Sequence, residues 1–151
     1  MFGTVLSRHC VLVALQAVAV AMLYAVAVPV FVDLLSHLGE ATDLETSSVA
    51  AILGLAAMQQ ACYWLRRNEG PMRWPGRNAV VSHLFRFASR TSFFFGGALF
   101  SSVFYRHLPQ LEMLPPIGQT AGKVILVLLV LFSLFCFSLE LDRIGLDLEK
   151  A

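Results

Sequence analysis

Four long apolar runs alternate with short polar connections along this chain. Cys10 to Val32 holds 23 residues without a charge, enough to cross about 30 Å of hydrocarbon. Ser47 to Leu65 is a second run, 19 uncharged residues that contain Gln59 and Gln60. A third begins near Asn78 or Ala79 and reaches Tyr105, and a fourth covers Gly118 to Leu139. The pattern predicts an all-α integral membrane protein: one domain of four transmembrane helices over residues 10–32, 47–65, 79–105 and 118–139, arranged as an up-down bundle. Residues 140–151, ELDRIGLDLEKA, alternate apolar and charged positions and are expected to form a helical cytoplasmic tail lying at the surface.

The connections differ in charge. Asp33 to Glu45 carries four acids and no Lys or Arg, and it is followed by Thr46, Ser47 and Ser48, whose hydroxyls suit a helix N-cap. Six of the eleven Lys and Arg residues fall between Arg66 and Arg90. Gly70, Pro71, Pro75 and Gly76 within that segment prevent one continuous helix, and Trp74, with Tyr63 and Trp64 before it, suits the headgroup level. Arg106 to Lys123, with Pro109, Pro115 and Pro116, makes the third connection. The third span is the weakest of the four. Only Thr91 to Tyr105 is strictly uncharged, and 15 residues reach about 22 Å, so this helix has to bury or snorkel His83, Arg86 and Arg90.

Counting Lys and Arg by side gives nine on the face of the basic connection and two, Arg106 and Lys123, on the other. That bias sets both termini on the cytoplasmic side of a bacterial inner membrane, or the matrix side of a mitochondrial inner membrane. Composition agrees with a lipid solvent: 58% of residues are hydrophobic and 14% charged, against about 25% charged in a soluble domain. A net charge of +1 gives no reason to expect nucleic acid as a partner. The basic start and Ala25-Val26-Ala27 resemble a secretory signal with its cleavage site, but the segment is read here as a retained span. Cys10, Cys62 and Cys136 are scattered, form no C-x-x-C pair and are read as apolar filler.

No catalytic, metal or nucleotide signature is present, so a non-enzymatic role is expected. Charge inside a membrane segment is where function is most often found. His83, Arg86 and Arg90, spaced i, i+3, i+7, share one face of the third helix. Matching depth across helices at 1.5 Å per residue puts Gln16, Gln59, Gln60 and Arg90 about 10 Å below the basic surface. These six residues are the candidate ligand- or lipid-binding set. In the structural version of the same reading, Arg86 and Arg90 pair with Glu140, Asp142 or lipid phosphate, and the glutamines bond between helices. In the functional version, Arg90 and Gln59 hold a lipid head or a quinone.

Haem is weaker still, because His9, His37, His83 and His107 all fall at or beyond the headgroups. No cofactor is therefore predicted, with haem b or a quinone as the alternatives. A transporter would show polar residues through the full thickness, and the half away from the basic face offers little beyond Tyr24, Ser101 and Ser102. Small-residue ridges at Ala17, Ala21 and Ala25, and at 97/101 and 98/102, suit contact with other helices. The sequence reading is thus an accessory or assembly subunit of a larger membrane complex. Its alternatives are a quinone-, lipid- or haem-binding redox anchor and a small transporter.

Overall fold

The computed structural model describes residues 2–36, 45–68, 76, 78–107 and 117–150, with side chains left out at 2–7, 34–35, 95, 99–100, 102–107 and 117–120. They form four helices, α1 (Phe2–Ser36), α2 (Thr46–Asn68), α3 (Ala79–His107) and α4 (Ile117–Lys150). The Pro- and Gly-rich centre of the basic connection, with Trp74, lies outside the described residues, as does most of the acidic one.

Local chemistry accounts for the helix starts. Asn78 caps α3: its side-chain oxygen accepts from the Val81 amide at 3.2 Å and its carbonyl from Ser82 at 3.0 Å. At α2 the cap position is Glu45, whose carbonyl accepts from the amides of Ser48 and Val49, one residue earlier than the hydroxyls at 46–48 suggest. α1 runs on through Pro29 without ending.

Among the described residues, three stretches are long and apolar enough to cross a membrane: Arg8–Asp33, Thr46–Asn68 and Ala121–Lys150. The expected third span, on α3, is not among them. Arg86 and Arg90 interrupt its first turns, and the uncharged remainder is too short alone. The helices also extend beyond the expected spans, α1 to Phe2 and Ser36 among them. α2 continues past Leu65 through Arg66 and Arg67, and α4 continues unbroken past Leu139 to Lys150. The expected surface tail is helical, but Leu141, Ile144 and Leu148 on it are buried.

α4 is the hub. It packs most extensively on α3, then on α2 and α1, while α1 packs chiefly on α2. α2 and α3, consecutive in the chain, do not meet among the described residues. Gln59 sits beside Ser133 and Arg66 beside Glu140, so residue numbers rise together along α2 and α4. Ser82 opposes Gly145 and Ser89 opposes Ser138, so α3 runs antiparallel to α4.

The α3–α4 contact is made by small residues. Ser82, Ser89 and Gly96, seven apart, are buried along one line of α3. The Ser82 hydroxyl donates to the Gly145 carbonyl at 2.7 Å and Ser89 to the Ser138 carbonyl at 2.8 Å. A Cβ on Gly145 would stand 2.7 Å from Arg86 Cγ and 3.0 Å from the Ser82 carbonyl oxygen, so glycine is what lets the two backbones approach. Such contacts are what hold helices together where hydrocarbon tails supply no hydrophobic drive between them. Of the ridges at 97/101 and 98/102, Gly97, Ala98 and Ser101 are exposed and not buried in this contact, and the side chain of Ser102 lies outside the described residues. On α1, Ala17, Ala21 and Ala25 likewise face outward, while Ala19, Leu23 and Ala27 turn in.

Candidate functional site

α1, α2 and α4 share a seam in which buried residues recur every seven positions. α1 supplies His9, Gln16 and Leu23; α2 supplies Arg66, Gln59 and Ile52; α4 supplies Glu140, Ser133 and Leu126. All nine are buried. A seven-residue repeat keeps one helix face toward its partner, and each step climbs about 10 Å. The result is three layers. The first is charged and titratable (His9, Arg66, Glu140), the second neutral and polar (Gln16, Gln59, Ser133), and the third apolar. In the third, Leu23, Ile52 and Leu126 join Ala27 in one hydrophobic cluster.

The layers rest on direct contacts. In the charged layer the Arg66 Nη2 lies 2.8 Å from Glu140 Oε1, with both side chains 2% exposed. His9 lies near Glu140, and Arg143 and Asp147, half-buried on the next turns of α4, lie near both members of the pair. In the polar layer Gln59 Nε2 donates to the Ser133 carbonyl at 2.9 Å. Beside the charged layer, the end of α2 carries a ring cluster: Arg67 donates to the Tyr63 hydroxyl at 3.1 Å and lies over Trp64, 5.5 Å from the ring centre. Trp64 is exposed there, as an interfacial anchor would be.

These layers are costly to bury. Removing two opposite charges from water is offset by their attraction only when the geometry is good and the remaining donors and acceptors are also met. Arg66 and Glu140 are close, but the contact lacks the alignment of a directional hydrogen bond, and Arg66 Nε and Nη1 have no hydrogen-bond partner in the protein. Neither do Gln16 Oε1 and Nε2, Gln59 Oε1 and Ser133 Oγ. Each such atom costs roughly 1–3 kcal/mol, and a handful of them rivals the about 5–15 kcal/mol that holds a domain together.

The residues singled out from sequence divide between this seam and the outside of the bundle. Gln16 and Gln59 are both buried on this seam, and Gln60, next to Gln59 on α2, is half-buried with neither amide atom hydrogen-bonded. His83 and Arg90 are exposed on α3, a helix that α2 does not touch, so Arg90 and Gln59 do not share one site. Glu140 pairs with Arg66, not with Arg86 or Arg90 as the spacing suggested. The reason is helix order, since α4 turns its 126–133–140 line toward α2 and not toward α3. Arg86 does approach Asp142, at 3.8 Å, and Glu149, at 3.4 Å, both in half-exposed contacts. Of the four histidines, His9 is buried and His83 exposed, and His37 and the side chain of His107 lie outside the described residues.

Sequence reasoning missed Arg66, Ser133 and His9 as members of one cluster. The signal was available as the sevenfold repeat of polar positions in three otherwise apolar helices. Among the described residues no three His, Cys, Asp or Glu side chains converge as metal ligands, and Cys10, Cys62 and Cys136 are free thiols. No protein-family model, no curated protein and no solved structure matches the chain.

Proposed function

We propose that this protein is a non-catalytic integral membrane subunit that helps assemble or stabilise a larger membrane protein complex. Its four helices cross a bacterial or mitochondrial inner membrane as an up-down bundle, with α3 as the fourth span and both termini on the cytoplasmic or matrix side.

The observation that supports this most is the outward face of α2. Ala50, Gly54, Ala57 and Ala61 are exposed along it at four- and three-residue steps, and nothing stands within 4 Å of a Cβ built on Gly54. Smooth faces of this kind suit the close approach of another helix, whereas a purely lipid-facing surface carries larger side chains, as α4 does with Val124, Ile125, Leu128 and Phe132. The outward Ala17, Ala21 and Ala25 of α1 add a second smooth strip. Arg90, exposed and without an ion-pair partner among the described residues, suits an acidic group on a neighbour or a lipid phosphate. The redox-anchor alternative drew on Arg90 and Gln59 acting together, and their separation leaves it without a favouring observation. For the transporter alternative, the polar layers end at Leu23, Ile52 and Leu126.

Purification of the tagged chain from native membranes in mild detergent tests the proposal. Wild type is expected to carry partner subunits, and Gly54→Leu with Ala57→Leu is expected to lose them while keeping its helicity and elution volume. A lone wild-type monomer would overturn the reading.

A further inference from the structure

The buried seam between α1, α2 and α4 has a property that does not depend on any partner subunit. Its middle layer is neutral, yet it presents hydrogen-bond donors and acceptors together: both amide atoms of Gln16, the carbonyl oxygen of Gln59 and the hydroxyl of Ser133, each fully buried and without a hydrogen-bond partner in the protein. The charged layer repeats the mixture, with Arg66 Nε and Nη1 as donors and Glu140 Oε2, the oxygen turned away from the ion pair, as acceptor. A cation would meet the donors unfavourably and an anion the acceptors. A molecule that both donates and accepts, and that fits between packed helices, suits every one of these atoms, and water is that molecule. The layer beyond, Leu23, Ile52, Leu126 and Ala27, offers nothing to such a molecule.

We propose that the seam is a hydrated well, a short file of bound water that reaches from the Arg66–Glu140 layer to Gln16, Gln59 and Ser133 and stops at the Leu23–Ile52–Leu126 floor. Its mouth lies where Arg67 and Cys10 are exposed and Arg143 and Asp147 half-buried. The water extends polar access to about one further heptad of depth, about 10 Å below the ion pair, without opening a path through the bundle. The glutamines thereby keep their hydrogen bonds in a helix interior that supplies too few.

Water–protein cross-relaxation on the full chain in lipid nanodiscs tests this directly, with glutamine side-chain nitrogens and leucine methyls labelled. Gln16→Leu and Gln59→Leu serve only to assign the two amide signals, and the readout comes from the wild type. The expected result is cross-peaks to water, with the sign of a bound molecule, at the Gln16 and Gln59 side-chain amides and none at the Leu23 and Leu126 methyls. Amide cross-peaks to protein protons alone would show a dry seam closed by side-chain contacts. Equal water signals at the amides and at the Leu23 and Leu126 methyls would show an open passage. Either result would overturn the well.

Discussion

α4 makes two contacts of opposite kind. Toward α3 it presents Ser138 and Gly145, and serine hydroxyls reach backbone carbonyls across the gap. Toward α2 it presents Ser133 and Glu140, and the gap is bridged by a glutamine and an arginine. A serine hydroxyl sits one bond beyond Cβ, so the first contact exists only because the backbones come close. The longer side chains of the second hold the helices together while leaving polar atoms between them. One helix therefore carries a dry, close-packed seam on one side and a polar, loosely satisfied seam on the other. Closeness satisfies hydrogen bonds locally, and distance leaves them to be completed.

The contrast is sharpest at the ion pair. Arg66→Met or Glu140→Leu alone strands a buried charge and is expected to destabilise the fold by about 3–5 kcal/mol, whereas the double variant is expected to recover most of that loss. Denaturant titration of the four proteins in detergent, read as a double-mutant cycle, checks it. Additive losses would mean that the two charges do not act as a pair.

On the close-packed side, Gly145→Val drives side-chain atoms into Arg86 and the Ser82 carbonyl, with an expected cost of about 1–3 kcal/mol. A cysteine pair at positions 89 and 138, where the serine hydroxyl oxygens lie 3.2 Å apart, should cross-link in an otherwise wild-type background and lose that reaction when Gly145→Val spreads the α3–α4 contact. Efficient cross-linking in both would show that the contact tolerates spreading. Ser89→Ala removes one buried hydroxyl bond, worth about 1 kcal/mol, a loss small enough to need thermal unfolding curves on matched samples.

The smallest effect is expected outside both seams. Arg90→Ala trims an exposed side chain, so it should change the stability of the isolated chain by less than about 0.5 kcal/mol. If Arg90→Ala instead destabilised the isolated chain by several times that, the arginine would belong to an internal contact, and the comparison between seams would need a third member.

How much of this was legible beforehand follows from what periodicity can encode. Runs of uncharged residues locate α1, α2 and α4, because crossing length and hydropathy are local properties, although the helices reach beyond the runs, by eight residues at the start of α1 and eleven at the end of α4. Depth along each helix was legible to the extent that rise per residue is fixed, and Gln16 and Gln59 are both buried. Facing was not. Arg90 matches their depth and yet lies on the outside of α3, and the ridge at 97/101 looked like the tight contact while Ser82, Ser89 and Gly96 make it.

The sequence by itself determined that this chain is helical, apolar over three long stretches and strongly basic around one connection, since each depends on composition within a single segment. Only the tertiary structure decided that Glu140 belongs to Arg66, that Gly145 in the charged tail packs directly against α3, and that polar residues from three helices line one seam. The physical reason is that a helix offers several faces of similar character. Which face meets which neighbour depends on the order of helices around the bundle, and no single segment carries that order.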